Sequence, residues 1–165
     1  MTIEVEIRPA ETADIEAITD VAEAVWYAAY GGMLDPSTIA AAIEEYYDPE
    51  LLGTAVELEE IAFYVAAGDG VVGFASAERT WADEAELHTI YVHPDRWGEG
   101  IGSALLGEVT AWARERDVDR IACGVLADNA VGIGFFEAVG FERGRETDAE
   151  IAGEIHPEYE YELPL

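Results

Sequence analysis

The chain predicts a single mixed α/β domain, with elements in the order β-αα-βββ-α-β-α-ββ and helices on both faces of a mixed sheet. Three observations carry that prediction. Apolar runs of strand length are interleaved with stretches of helical period. A glycine-rich segment, Gly98-Glu99-Gly100-Ile101-Gly102, joins one such strand directly to an amphipathic helix. Finally, 165 residues, 50% of them hydrophobic, can form one core that buries roughly 70% of the unfolded chain's surface. No repeat, low-complexity tract or linker divides them, so residues 1–165 read as one domain.

Ile3 to Arg8 alternate apolar and polar, which reads as a strand closed by Pro9. Thr12 is the expected N-cap of a first helix, with Asp14 in its first turn. Ile15, Ile18, Ala22, Val25 and Ala29 recur at helical spacing up to Gly31-Gly32. Asp35-Pro36 opens a second helix with Ile39, Ala42, Ile43 and Tyr46 on its inner face, followed by an acid-rich connection. Ile61 to Ala67 and Val71 to Thr80 are β-rich and flank Gly68-Asp69-Gly70, which predicts a hairpin. Glu84 to Val92 makes a further strand stopped by Pro94, and the helix after the glycine segment runs to about Arg116. Ile121 to Leu126 is a strand, and Ala130 to Val139 a short helix with Gly140 at its C′ position. Phe141 to Ile151 and Tyr159 to Leu163 read as the last two strands.

Composition narrows the function before any motif does. There are 36 Asp and Glu against 8 basic residues, for a net charge of -28, and all eight bases are arginine. Without a lysine there is no Schiff-base, pyridoxal-phosphate or phosphate-loop lysine. A surface this acidic repels nucleic acid and anionic membrane, so neither is an expected partner. It also repels itself in ordinary buffer. Near 1 M salt the Debye length falls to about 3 Å and that penalty is screened, which points to a salt-rich, halophilic cytoplasm as the working solvent. Cys123 is the single cysteine, so no intrachain disulfide or cysteine-rich zinc site is expected. The charged, strand-like start carries no signal-peptide pattern and no apolar run spans a bilayer, so the expected location is cytoplasmic.

The most informative segment is Tyr91 to Leu106. Gly98, Gly100 and Gly102 sit between a strand and a helix start, where alternate glycines admit positive φ and let backbone N–H groups approach a ligand. The helix N-terminus adds roughly half a positive charge. Such a loop suits an anion, with Arg96 as an auxiliary. It is neither of the two commonest phosphate loops: Ser103 stands where a dinucleotide fingerprint needs glycine, and a Walker loop needs lysine. The competing reading is a glycine-rich turn for tight helix–sheet packing.

Trp97-Gly98-Glu99-Gly100-Ile101-Gly102, behind a strand and Pro94 and ahead of a helix, resembles the coenzyme A loop of the GNAT superfamily of N-acetyltransferases. The family's pattern is Arg/Gln-x-x-Gly-x-Gly. Here Trp97 occupies the Arg/Gln place and the arginine sits one residue earlier, as Arg96. A second segment, Asn129 to Phe141, resembles the family's Asn-x-x-Ala-x-x-Phe-Tyr-x-x-x-Gly-Phe. With the first strand and paired helices, the resemblance covers nearly the whole chain.

The resemblance implies a mostly antiparallel, twisted sheet. It implies acetyl-CoA bound between splayed strands that end near Val92 and Leu126. Arg96, Trp97, Gly98, Glu99, Gly100, Ile101, Gly102 and Ser103 would hold the pyrophosphate. The pantetheine arm would lie along Ile90, Tyr91 and Val92, pairing with the backbone of Ile90 and Val92, and Asn129 would contact the arm; Asn129 could equally be a helix cap. The implied reaction is transfer of acetyl to a primary amine by direct attack in a ternary complex.

An alkylammonium titrates near pH 10.4 and a glutamate near 4.3, a gap of about 6 units or 8 kcal/mol. Burial of the carboxylate or a water relay has to narrow it. Glu86 stands where the resemblance puts the general base, and a period of two sets it on one face with His88, Ile90 and Val92. His88 is the rival base, since an imidazole titrates near neutrality. His93 and His156 read as surface residues. The family's general acid is commonly a tyrosine where this chain has Phe136, so Tyr30, Tyr159 and Tyr161 are candidate replacements. Cys123 reads as core. Trp26, Tyr27 and Tyr30, at the end of the first helix, could pack an acceptor chain, against a core role for the same rings. Trp112 reads as packing.

The acceptor stays open between a small molecule and a peptide or protein amine, as does monomer against homodimer. The alternative from another class is an acyl-CoA-binding sensor or scaffold without turnover, which the absent hydroxyl at Phe136 favours. A third reading is a module for another phosphorylated ligand.

Overall fold

A computed structural model describes residues 5–165. β1 (Glu6–Pro9) is the described part of the run expected from Ile3; residues 1–4 lie outside it. A 3-10 turn (Thr12–Asp14) leads into α1 (Ile15–Tyr30). The caps differ from expectation: Glu11 is the N-cap of the 3-10 turn and Asp14 that of α1, and Thr12 is neither. The cause is the buried Asp14, whose carboxylate accepts from Glu11 N at 2.9 Å and is gripped by Arg8 of β1 at 2.8 and 2.9 Å. An ion pair to a neighbouring strand thus overrides the local preference for Thr.

α2 (Pro36–Tyr46) starts at Pro36 as expected, and Ile39, Ala42 and Ile43 are buried. Tyr46 is not on the inner face. It is 39% exposed, and Tyr47, just past the helix end, turns inward to pack edge-on against Phe74. The acid-rich connection also holds a helix, α3 (Pro49–Glu57), capped by the Asp48 carboxylate on Glu50 N and Leu51 N. It buries fully only Leu52, so its apolar period is too weak to read in sequence.

β2 (Ile61–Gly68) and β3 (Gly70–Trp81) form the expected hairpin, followed by β4 (Glu84–Val92). A short turn (Pro94–Arg96) and the glycine loop lead to α4 (Ile101–Glu115), then β5 (Arg120–Leu126), α5 (Ala130–Ala138), β6 (Glu142–Ile151) and β7 (Glu154–Pro164). β7 begins five residues before the expected Tyr159 because Ala152 and Gly153, both at positive φ (47° and 86°), make a tight two-residue hairpin. The strands form one sheet, ordered β1-β2-β3-β4-β5-β7-β6, antiparallel everywhere except β4–β5.

Each face carries a core. One cluster lies under α4 and α5 around Leu105, Val109, Phe136 and Tyr161, and includes Cys123 and Trp112 as expected. The other lies under α1, α2 and α3 around Ile18, Ile39, Val65 and Phe74. His156 is not the surface residue expected: its side chain is 17% exposed and its Nε2 is buried without a hydrogen-bond partner.

Two irregularities of β4 position the site. Against β3, Thr89 pairs with Ser76 but Leu87 pairs with Ala77, so His88 is an extra residue. This bulge reverses the alternation beyond it. Leu87, Ile90 and Val92 join the core under α4, whereas Glu86 lies on the opposite face with Tyr91. The expectation that Glu86 shares a face with Ile90 and Val92 is therefore wrong, because strict period two assumes an unbroken ladder. Glu86 and His88 do stay together, His88 Nε2 lying 3.1 Å from Oε2 of Glu78, the cross-strand partner of Glu86. Against β5, β4 pairs only from Glu84–Arg120 to Glu86–Ala122. Beyond that the two strands part, while β5 stays zipped to β7 as far as Leu126–Glu158.

Candidate active site

The parting of β4 and β5 opens a cleft of about 450 Å³ whose floor is the diverging strands and whose mouth is the start of α4. Gly98 and Gly100, at φ 82° and 83°, bend the chain so that Gly100 caps α4, and Gly100, Ile101, Gly102 and Ser103 line the mouth. The first turn of α4 carries no acidic residue. Its free N–H groups and the helix dipole therefore favour an anion unopposed. Arg96 reaches the same cleft. Glu99 holds its Nε at 2.9 and 3.1 Å, and its Nη2 is buried with no hydrogen-bond partner. A buried guanidinium N–H left unpaired is costly, and a phosphate oxygen in the cleft would satisfy it.

A second concavity, about 700 Å³, lies on the sheet where β3, β4, β5 and β7 meet. Six glutamates line it: Glu78, Glu84, Glu86, Glu158, Glu160 and Glu162. The two cavities share Cys123 and Gly124, so they meet where β5 leaves β4. Among the described residues no Asp or Glu lines the first cleft, although 36 are present in the chain. Charge is thus sorted: one side of the gap suits an anion and the other a cation.

The structure gathers most of the expected residues here. His88, Ile90, Tyr91, Val92, Arg96, Trp97, the loop glycines, Asn129 and Phe136 all line the cleft. Trp97 uses its indole N–H to close the loop, donating to Val92 O at 2.6 Å. Asn129 does two jobs at once: Oδ1 accepts from Gly132 N and caps α5, while Nδ2 donates to the Tyr30 hydroxyl at 3.3 Å. Of the aromatic trio on α1, only Tyr30 reaches the cleft. Trp26 is buried in the core and donates to the Tyr91 hydroxyl, and Tyr27 is 41% exposed and lines neither cavity. Glu86 lines the acidic trough, exposed at its β4 wall.

Among the candidate phenols, Tyr161 is buried with its hydroxyl accepting from Arg143, and Tyr159 lies under the same guanidinium. Tyr30 is the one in the cleft. Burial pushes its phenol well above the ordinary range, with Tyr91 and the Glu158 charge adding to the rise, so it stays protonated. Burial pushes the Cys123 thiol up to about 12, as suits a core cysteine rather than a nucleophile.

Residues 22–141 match the acetyltransferase (GNAT) family. The chain belongs to that family. Over 143 residues, 84% of this chain and 88% of the relative, it is 29% identical to a spermidine N(1)-acetyltransferase of Thermoplasma acidophilum. It is 33% identical over 91 residues to an uncharacterised N-acetyltransferase of Methanocaldococcus jannaschii, a match spanning 51% of this chain and 40% of that protein. The crystal structure of PaiA N-acetyltransferase from Thermoplasma acidophilum in complex with coenzyme A superposes with a TM-score of 0.86 and 25% identity, over 99% of this chain and 100% of that one. As a GNAT acetyltransferase the chain draws acetyl from acetyl-CoA and delivers it to an amine. The unpaired Nη2 of Arg96 and the acid-free first turn of α4 fit the coenzyme's phosphates.

Sequence reasoning missed Glu158 and the trough. Glu158 sits in a strand expected to begin one residue later, at Tyr159, and one glutamate among so many carries no signal of its own. The alternation Glu158-Tyr159-Glu160-Tyr161-Glu162 was the available clue, because it puts three carboxylates on one face of a strand.

Proposed function

We propose that the chain acetylates a small polycationic amine of the polyamine class, which enters through the acidic trough while acetyl-CoA occupies the cleft. The sorting of charge across the gap carries this reading. Of the trough's six glutamates, Glu86 and Glu158 have no arginine or histidine partner among the described residues and suit ammonium groups, and the trough meets the cleft where an amine and a thioester must meet. The likeness to a spermidine N(1)-acetyltransferase over most of both chains supports it.

Acetyl-CoA supplies an activated acyl thioester; the chain supplies position, charge and protons. The α4 N-terminus, Gly98, Gly100, Gly102 and Arg96 hold the phosphates, assisted by Trp97 and Ser103, while Glu99 orients Arg96. Ile90, Tyr91 and Val92 form the strand edge along which the arm lies, with Asn129 opposite. Glu86 holds an acceptor ammonium at the β4 wall, and His88, tied to Glu78, is a neighbour of that wall rather than the base. Tyr30 stands in for the hydroxyl missing at Phe136 as proton donor to the departing sulfur. The working solvent is a salt-rich cytoplasm, which the net charge of -28 supports; stability that is highest in dilute buffer and gains nothing from molar KCl contradicts that point.

The test is thiol release from acetyl-CoA with spermidine, a monoamine and an amino acid in molar salt. Spermidine is expected to be preferred, and Glu86→Gln to raise its KM while leaving that of acetyl-CoA unchanged. Equal rates with all three amines refute the polyamine reading, and tight binding of acetyl-CoA without any thiol release makes the chain a sensor instead.

A further inference from the structure

The carboxylates around the trough are not equivalent. Glu84 and Glu162 face Arg120 at 3.2 and 3.9 Å, Glu160 is paired with Arg145 at 3.2 Å, and Glu78 meets His88. Among the described residues, Glu86 and Glu158 have no such partner. Both line the trough, Glu86 from β4 and Glu158 from β7, and they differ in exposure: Glu86 is exposed, whereas Glu158 is half-buried.

One contact places the Glu158 carboxyl. It sits over Gly124, so closely that a β-carbon there would be 2.6 Å from Glu158 Cδ and would push the carboxyl aside. Gly124 is one of the two residues common to cleft and trough. The charge of Glu158 also reaches Tyr30 on the cleft side and Cys123 beneath the gap. The carboxyl therefore stands at the junction of the two cavities.

We propose that Glu158 accepts the ammonium proton of the acceptor, with Glu86 on β4 holding the ammonium by charge. The inference rests on the amine entering through the trough. One N–H bond of the ammonium breaks, its electron pair remains on nitrogen, and the proton becomes the carboxyl O–H of Glu158. That pair forms the C–N bond to the thioester carbonyl carbon. The C–S bond breaks with its pair on sulfur, and the proton that nitrogen sheds as the amide forms balances the one sulfur gains through Tyr30. Glu158 then returns its proton to water in the trough.

The physical reason is the size of the proton-transfer gap. An acidic trough favours the ammonium and so makes its proton harder to remove; a solvated carboxylate cannot compensate. Glu158 is raised instead, first by burial and then by the charges of Glu86 and Glu160. The groups that face it are Glu86 on β4, Glu160 on its own strand, Tyr30 on α1 and Cys123 on β5; its β6 neighbour, Thr147, is uncharged. The two carboxyls divide the work by position: Glu158, half-buried over Gly124, takes the proton, and Glu86, exposed on β4, holds the ammonium by charge.

The test compares wild type, Glu158→Gln and Glu86→Gln, with spermidine and butylamine as acceptors. In Glu158→Gln, kcat/KM is expected to fall by roughly 10²–10⁴ and the acid limb of its pH profile to disappear. Independently of turnover, spermidine binding is followed by calorimetry in buffers of different ionisation enthalpy. At mildly acidic pH, binding is expected to release a proton from Glu158 in wild type and in Glu86→Gln but not in Glu158→Gln. A Glu158→Gln enzyme within tenfold of wild type with either amine, or one that still releases the proton, overturns the assignment. Turnover of butylamine but not spermidine overturns the polyamine reading alone, and turnover of neither overturns both.

Discussion

Replacing Gly100 by Ala separates the two roles that its loop could have. Gly100 sits at φ 83° and ψ 8° as the N-cap of α4, and no protein atom lies within 4 Å of where a β-carbon would be. The cost to folding is therefore conformational only, about 1–2 kcal/mol for an alanine held in the left-handed region. For a chain of this size each kcal/mol moves Tm by about 2–4 °C, so a fall of roughly 2–8 °C is expected by calorimetry. The effect on coenzyme A is different in kind. The empty space belongs to the cleft, where the phosphates approach the α4 N–H groups, and a methyl there keeps them apart. Loss of one or two charge-assisted hydrogen bonds, each about 1.5–3 kcal/mol, weakens Kd by roughly 10- to 10⁴-fold. Isothermal titration with coenzyme A reads this directly. A Gly100→Ala chain that binds coenzyme A as tightly as wild type refutes the phosphate cradle; a much larger fall in Tm shows instead that the loop is needed for packing.

Tyr30→Phe removes the phenol of the cleft while keeping the ring. We expect kcat to fall near the lower end of the roughly 10²–10⁴ range for a general acid, because a thiol of pKa near 8.5 leaves readily, with coenzyme A affinity unchanged. An unaltered kcat in stopped-flow thiol release removes Tyr30 from the mechanism. Asp14 is held below the ordinary carboxylate range mainly by its hydrogen bonds from Arg8, with Glu11 N and the Arg8 charge assisting against burial. Its stabilisation is therefore complete above the unfolded pKa, near 3.9, and lost as pH falls through the depressed folded value. Asp14→Asn should cost about 1.5–3 kcal/mol at pH 7 and progressively less below pH 4, read from Tm against pH; a constant difference down to pH 2 contradicts the ion pair.

Much of this protein is legible in one dimension because the underlying interactions are local. The order of the strands and of four helices follows from period and punctuation: Pro36 and Gly140 mark helix ends, and Gly68-Asp69-Gly70 marks the hairpin. The coenzyme loop is equally local, since Gly98, Gly100 and the start of α4 are continuous in the chain and need only their own backbone geometry to suit an anion. α3 escaped because a nine-residue helix with one buried residue leaves no period to detect.

The acceptor side was decided elsewhere. Nothing local announces that His88 is an extra residue in β4. The bulge exists only against β3, and it sends Glu86 to the face opposite Ile90 and Val92. Likewise Glu158 is one acidic residue among 36 until β7 pairs with β5 and sets its carboxyl over Gly124, where the sheet has split. The net charge of -28 is a property of the sequence; its sorting into an acid-free cleft and a trough of six glutamates is a property of strand register. Composition sums over the chain and has no direction, whereas pairing between distant strands assigns every side chain a face.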